Sequence, residues 1–88
     1  MRILIVSNSV KRKIKAFIKK HPDLHLKLER VLSTLLENPT SSKFGAHKLT
    51  GKLKNLHAAS ITYDHRLVFF FDNKNLYIVY IGSHDEVY

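Results

Sequence analysis

The architecture of this protein follows from residues 58–81, which read AASITYDHRLVFFFDNKNLYIVYI. Apolar and polar side chains alternate over residues 58–63, and a period of two is typical of a half-buried strand. Residues 66–71 and 76–81 are rich in β-branched and aromatic side chains, and the turn-forming sequence DNKN at 72–75 separates them. Consecutive strands joined by short turns predict an antiparallel meander.

The sequence before the meander has the period of amphipathic helices. The apolar residues 3–6 predict a short strand, and the helix-capping sequence SNS at 7–9 ends it. Two successive segments then place apolar residues on one helical face, and Asn38-Pro39 ends the second segment. These apolar residues are Val10, Ile14, Phe17 and Ile18, then Leu24, Leu28, Val31, Leu32, Leu35 and Leu36. Because almost no linker separates the two helices, we predict a helical hairpin.

A loop and a further short strand connect the hairpin to the meander. Residues 38–46 have the composition of a loop, and residues 47–49 predict a short strand that a turn at 50–52 separates from a strand beginning near Leu53. The order of elements predicts an α+β fold, in which an N-terminal strand and a helix hairpin pack on one face of an antiparallel sheet. We expect residues 1–88 to form a single domain, because so short a chain cannot build two cores.

Composition excludes several classes of protein. The sequence is 44% hydrophobic and rich in Phe and Tyr, which argues against disorder, and it has no cysteine for a disulfide framework or a thiolate metal site. No apolar run approaches the roughly 18–20 residues that span a bilayer. Residues 1–6 are too short for the core of a signal peptide. We therefore expect a small soluble protein of the cytoplasm with no membrane partner.

The charge of the chain is positive and unevenly distributed. Residues 1–54 carry thirteen basic and three acidic side chains, residues 55–88 carry two basic and four acidic ones, and the formal net charge is +8. A field of this sign attracts phosphate backbones and acidic partners. Lys48, Lys52 and Lys54 would suit RNA phosphates, although a solvated lysine surface is the commoner outcome for such residues.

Several side chains suited to acid–base chemistry lie in the predicted meander or at its ends: His47, Asp64, His65, Arg66 and His84. RNA cleavage by internal transfer needs a base for the 2′-hydroxyl proton, an acid for the departing 5′-oxygen and a cation for the phosphorane. Histidine suits both proton transfers because its ordinary pKa lies near neutrality. Six histidines in a basic chain also produce clusters by chance, so the residue types alone leave a structural role open.

No metal site and no cofactor are expected. His21 and His25 have the i, i+4 spacing that some metal sites use, but His21 precedes a proline and the sequence places no third ligand nearby.

Three motifs in order resemble the RelE/ParE toxin superfamily, and most closely its YafQ-like branch. They are HKLTG at 47–51, ITYDHRLVF at 61–69 and GSH at 82–84. The resemblance implies a RelE-like fold and a toxin of a type II toxin–antitoxin system that cleaves mRNA on the ribosome. It also implies that an acidic antitoxin neutralises the toxin, and that the toxin–antitoxin complex binds operator DNA through the antitoxin.

The resemblance assigns roles to particular residues. His47, Asp64 and His84 match catalytic or substrate-contacting positions of the YafQ-like pattern, and Tyr88 matches an aromatic near its end that contacts RNA. Arg66 matches the active-site arginine of the YoeB-like branch instead. These assignments imply that His84 is the general acid and that Asp64 or His47 is the base, or the reverse.

The chain departs from the YafQ-like pattern at three positions. Ser60 stands where the pattern has His, His65 where it has Trp, and Tyr80 where it has Arg. We hypothesise that His65 and Arg66 replace the lost proton-transfer and cationic groups, because both lie close to Asp64. The alternative function is that of a ParE-like toxin, which inhibits DNA gyrase through protein contacts and has no nuclease activity; the presence of His47, Asp64 and His84 favours the nuclease.

Overall fold

The secondary structure follows the two hydrophobic periods of the sequence, that of helices in its first half and that of strands in its second half. The computed structural model describes residues 1–51 and 55–83. The elements are β1 (Ile3–Val6), α1 (Asn8–Lys20), α2 (His25–Glu37), β2 (His47–Lys48), β3 (His57–Ser60), β4 (His65–Phe71) and β5 (Asn75–Ser83), with 3₁₀ turns at Pro22–Leu24 and Ser42–Phe44. These strands form one sheet in the order β1-β5-β4-β3-β2. The predicted α+β fold, with a helix hairpin on one face of the sheet, is confirmed.

β1 makes the sheet mixed, whereas the sequence predicted an antiparallel one. β2, β3, β4 and β5 pair antiparallel in succession. β1 instead lies parallel to the first half of β5, from Ile3 opposite Asn75 to Val6 opposite Ile78. A parallel pair requires a long crossover, and the helices supply it. Because β1 is short, residues 79–83 of β5 have no strand beside them on that side in the described part of the chain, and α1 packs against β5.

The strand predicted over residues 58–63 ends earlier than expected, at Ser60. The N–H of Ile61 donates to the carbonyl of His65 at 2.9 Å, so that residues 61–64 form the turn into β4. Tyr63 is consequently 89% exposed. The apolar side chain of Ile61 continues the alternation because it is buried against the core, although its backbone has left the strand. The strand predicted to begin near Leu53 falls at residues 52–54, outside the described residues.

α1 and α2 build the main core with one side of the sheet. The side chain of Ser7 caps α1 by accepting a hydrogen bond from the N–H of Val10 at 3.2 Å, and Lys19 and Lys20 lie in its last turn, where the helix dipole favours cations. The buried residues of this core are Val10, Phe17, Leu28, Val31, Leu35, Ala59, Ile61, Leu67, Phe69, Leu76, Ile78 and Ile81. None of the helices in residues 1–51 and 55–83 is long and apolar enough to cross a bilayer.

The other side of the sheet carries a second, smaller cluster without helix residues. Leu49, Ala58 and Val68 are buried there. Leu56, Val79 and Tyr80 pack against them. We call this side the helix-free face and the opposite side the helix-covered face.

Candidate functional site

The strand register brings His47 and Arg66 onto the same face of the sheet. His47 lies opposite Ala58, Ala58 opposite Val68, and Val68 opposite Tyr80, so these positions form one row across four strands. Directly opposed residues share a face, and Ala58 and Val68 belong to the helix-free face.

A second row runs beside the first on the same face. Ser60 lies opposite Arg66, and Arg66 lies opposite Gly82. In an ideal sheet, two residues that lie two strands and two positions apart, as His47 and Arg66 do, have Cα atoms about 12 Å apart. A separation of this size suits two groups that act on one substrate from different sides.

The guanidinium group of Arg66 is anchored through one nitrogen. Its Nη1 donates to the carbonyl oxygens of Thr62 at 2.7 Å and Tyr63 at 2.9 Å, and more weakly to that of its neighbour His65 at 3.4 Å. Within the described residues, all hydrogen bonds of this side chain come from Nη1, so Nε and Nη2 make none. These two nitrogens form the planar fork that binds a carboxylate or phosphate in bidentate fashion.

Asp64 lies in the same turn as the carbonyl partners of Arg66. The backbone N–H of Asp64 donates to the hydroxyl of Thr62 at 3.3 Å, and the residue is exposed. In residues 1–51 and 55–83 the ion pair found is between His25 and Glu29, not between Asp64 and Arg66. Asp64 and Arg66 are therefore neighbours whose charged groups do not neutralise each other by direct contact.

The ring of His47 is oriented by the loop that precedes β2. Nδ1 of His47 lies 3.0 Å from the carbonyl oxygen of Gly45. Gly45 has the left-handed φ of 64° that favours glycine, which turns the chain into β2. A neutral imidazole that donates from Nδ1 to a carbonyl carries its lone pair on Nε2. His47 is exposed, so this nitrogen belongs to a ring at the surface of the helix-free face.

His65 lies on the opposite face from Arg66, because successive residues of a strand point to opposite sides of the sheet. The centroid of its ring lies 5.3 Å from the ring centroid of Phe17 and 4.7 Å from the ring centroid of His21. Its Nδ1 is 2.9 Å from the hydroxyl of Thr62. The structure thus places His47 and Arg66 on one face of the sheet, whereas His65 lies between α1 and the turn that holds Arg66.

The remaining predicted site residues are divided between the helix-covered face and the undescribed part of the chain. Lys48 is exposed and lies opposite His57, whose ring stacks on Phe69 with centroids 5.5 Å apart. Burial lowers the pKa of His57, and the charges of Lys48 and His47 lower it further. Lys52, Lys54, His84 and Tyr88 lie outside the described residues; β5 ends at Ser83, opposite His65, directly before His84.

The histidines considered for a metal make other contacts. His25 pairs with Glu29 at 3.2 Å, and His21 packs against Phe17 and His65. Within residues 1–51 and 55–83, no group of three or more His, Cys, Asp or Glu side chains is placed to hold a metal ion.

One arrangement at the edge of the sheet was not foreseen from the sequence. The ring of Tyr80 lies over Gly82, so closely that a Cβ on Gly82 would come within 2.5 Å of a ring carbon. Nζ of Lys13 lies 4.7 Å from the centroid of the same ring. A glycine inside a strand often marks such a close approach, and that was the available sequence signal.

Comparison with known protein families relates this chain to bacterial toxins. A family model described as a bacterial toxin of a type II toxin–antitoxin system, YafQ, matches residues 2–88. A search of curated proteins found no significant match.

Solved structures of such toxins share the fold. YafQ from E. coli strain BL21(DE3) is 22% identical with a TM-score of 0.82, over 100% of this chain and 99% of that one. A copper-bound mutant toxin from Helicobacter pylori is 25% identical with a TM-score of 0.79, over 100% of both chains. The E. coli DinJ–YafQ toxin–antitoxin complex contains a chain that is 24% identical with a TM-score of 0.80, over 99% of this chain and 97% of that one.

Proposed function

The chain belongs to the YafQ family of bacterial toxins of type II toxin–antitoxin systems, and we propose that it acts as a ribosome-dependent endoribonuclease that cleaves mRNA. Family membership supplies the class of protein. The chemistry rests on the residues of the helix-free face, together with His84 from the resemblance of its motif.

The observation that carries the proposal is the geometry of Arg66. Its Nη1 is committed to the carbonyl oxygens of Thr62 and Tyr63, which fixes the plane of the guanidinium. The fork of Nε and Nη2 makes no hydrogen bond to the described residues and suits two oxygens of a phosphate. A cation held in this way stabilises charge that develops in a transition state without having to reorganise.

The proposed reaction is an internal transfer. His47 Nε2 takes the proton of the ribose 2′-hydroxyl, and the 2′-oxygen forms a bond to phosphorus. The fork of Arg66 neutralises the equatorial oxygens of the phosphorane. The bond between phosphorus and the 5′-oxygen then breaks while His84 donates a proton to that oxygen. The products are a 2′,3′-cyclic phosphate and a free 5′-hydroxyl.

Asp64 and His65 have supporting roles in this proposal. Asp64 is exposed at the turn beside Arg66 and is the alternative base to His47. His65 is a positioning residue: its contact with the Thr62 hydroxyl holds the residue whose carbonyl anchors Arg66. This assignment replaces the hypothesis that His65 itself transfers a proton, since its ring is on the helix-covered face.

We propose that the ribosome and its mRNA are the substrate complex. The formal net charge of +8 favours binding to RNA, with Lys48, Lys52, Lys54 and Tyr88 as further RNA contacts. The affinity for ribosomes should consequently fall steeply as the salt concentration rises, and an affinity unchanged between low and moderate salt would remove the electrostatic basis.

We propose that the antitoxin is acidic and also covers apolar surface. A groove of about 380 Å³ lies between β1, the start of α1 and β5, and Ile5, Val10, Phe70 and Tyr77 are among its lining residues. Ile5 is 41% exposed and Phe70 37% exposed, so apolar surface is accessible there. Co-purification with the product of the neighbouring reading frame tests this partner. The purified complex should bind operator DNA, whereas the toxin alone should not.

The nuclease assignment is tested with purified variants and mRNA bound to ribosomes. His47→Ala and His84→Ala should each lower the cleavage rate about 10²–10⁴-fold, the usual contribution of a positioned acid or base. His25→Ala is the matched control, because His25 pairs with Glu29 on α2 and lies outside the site. If the wild-type protein leaves mRNA intact but stops DNA gyrase, the nuclease proposal is wrong and the ParE-like function is correct.

A further inference from the structure

A second cationic site lies on the side of the molecule where α1 packs against the end of β5. A cavity of about 310 Å³ opens there, and we call it the α1 pocket. Its lining includes Lys13, Lys20 and His21 from the helix side and His65, Gly82 and Ser83 from the sheet. Neither His47 nor Arg66 is among its described lining residues, although Gly82 lies directly opposite Arg66 in the sheet, so the pocket borders the site proposed for catalysis.

The α1 pocket exists because β1 is short. β1 pairs with β5 only as far as Ile78, so the second half of β5 meets α1 instead of a strand. The ring of Tyr80 folds over Gly82 and forms a wall of the cavity. A side chain at position 82 would collide with that ring, so glycine is what allows this wall.

The charge of the lining is of one sign. Lys13 and Lys20 are seven residues apart and therefore share a face of α1, and none of the lining residues within 1–51 and 55–83 is Asp or Glu. Lys13 is held in place by the ring of Tyr80, with Nζ 4.7 Å from the ring centroid. Two ammonium groups beside one cavity, with no carboxylate paired to them in the part of the chain that the structure describes, attract an anion.

The two imidazoles of the pocket are fixed by their neighbours. The rings of His21 and His65 are 4.7 Å apart, edge to face, and Phe17 packs against both. The hydroxyl of Thr62 contacts Nδ1 of His65 at 2.9 Å. The two rings and the two ammonium groups therefore surround one cavity. A phosphate group, with several strong acceptor oxygens, suits such a set of donors.

We propose that the α1 pocket binds a phosphate group, and that in a complex with RNA it holds a backbone phosphate other than the scissile one. The second part rests on the proposed function, whereas the first part does not. A toxin with two separated phosphate contacts fixes the path of the RNA strand across the end of the sheet between them.

Titration with inorganic phosphate tests the first part. At constant pH and ionic strength, the Hε1 resonances of His21 and His65 should shift together and saturate. The double variant Lys13→Gln/Lys20→Gln should weaken phosphate binding about tenfold or more, since it removes both ammonium groups. The control Lys11→Gln/Lys15→Gln makes the same change in net charge at residues that do not line the pocket, and it should weaken binding less than about twofold. Equal weakening in both variants, or shifts that never saturate, would overturn the site.

Competition with RNA tests the second part. A short 2′-O-methyl oligonucleotide lacks the attacking hydroxyl and can be added without cleavage. It should shift the same two histidine resonances and raise the apparent Kd for phosphate about fivefold or more. Binding of the oligonucleotide without these effects would overturn the RNA contact and leave the phosphate site standing. Because neither titration measures cleavage, a failure here differs from a failure of the nuclease assignment, which the His47→Ala variant tests.

Discussion

Replacing Arg66 by lysine or alanine separates the structural contribution of this side chain from its proposed contribution to catalysis. Nη1 of Arg66 bonds the carbonyl oxygens of Thr62 and Tyr63, whereas the fork of Nε and Nη2 is assigned to phosphate. A lysine ammonium can still donate to the carbonyl oxygens but has no planar fork. Arg66→Lys should therefore retain most of the stability and lose most of the activity, and Arg66→Ala should lose both.

The size of each effect follows from these contacts. Hydrogen bonds from a charged donor contribute about 1.5–3 kcal/mol each when buried, and because Arg66 is only half-buried we expect about 2 kcal/mol for the pair. In a domain of this size, about 1 kcal/mol shifts the Tm by about 4–8 °C, so Arg66→Ala should melt about 10 °C lower. Loss of a preorganised donor in the transition state costs about 10²–10³-fold in rate, which is the decrease expected for Arg66→Lys.

Two measurements on the same preparations check this prediction. Thermal unfolding followed by circular dichroism gives the Tm, and single-turnover cleavage of ribosome-bound mRNA, at a temperature where every variant is folded, gives the rate. Arg12→Lys and Arg12→Ala are the controls, because Arg12 is exposed on α1, and each should change stability by less than about 0.5 kcal/mol. Wild-type cleavage per folded molecule by Arg66→Lys would refute the role of the fork.

Three further predictions concern stability and local packing. Burial and nearby cations lower the pKa of His57, so the unfolded chain takes up a proton near pH 6.5 before the native state does, and the free energy of unfolding should fall as the pH is lowered through that range. The variant His57→Phe keeps the stacking on Phe69 and should reduce this fall, which urea titrations on both sides of that pH measure. Two backbone N–H groups and a tyrosine hydroxyl lower the pKa of Asp72, so its contribution to stability is present above the ordinary pKa range of a carboxylate and is lost as the pH falls through that range. The variant Asp72→Asn should therefore lower the Tm at neutral pH and flatten the acid side of the Tm–pH curve. Gly82→Ala should displace the ring of Tyr80 and destabilise the fold by about 1 kcal/mol, visible as a lower Tm and shifted ring resonances, whereas unchanged resonances would contradict the close contact.

The features of the fold that depend on local period were predictable from the sequence. The apolar residues of α1 and α2 follow the helical period, and the strands of the meander from β3 to β5 show the alternation or the β-branched and aromatic composition of strands. Each of these patterns can be seen within a single segment of the sequence. The partner of β1 was not predictable in this way, because residues 3–6 show only that a strand exists. Its parallel pairing with β5 depends on a crossover of the whole hairpin, which no local pattern records.

The candidate site was predictable in its residue types but not in its arrangement. The alternation of a strand implies that His65 and Arg66 point to opposite faces, and this signal was present in the sequence. The anchoring of Arg66 on the carbonyl oxygens of Thr62 and Tyr63 was not, because it depends on the chain leaving the strand at Ser60. Every residue has a main-chain carbonyl, so the sequence does not show which carbonyl oxygens accept from Arg66. A sequence pattern instead suggests a nearby carboxylate, such as that of Asp64, as the partner of Arg66.

The most direct measurement is a map of the RNA ends made by the purified protein with and without ribosomes. Wild-type protein added to ribosomes programmed with a defined mRNA should produce fragments that end in a 2′,3′-cyclic phosphate and begin with a free 5′-hydroxyl. The same mRNA without ribosomes should remain intact, and the cognate antitoxin should suppress the cleavage. Intact mRNA on ribosomes, under conditions where the protein is folded and inhibits growth, would contradict the central claim.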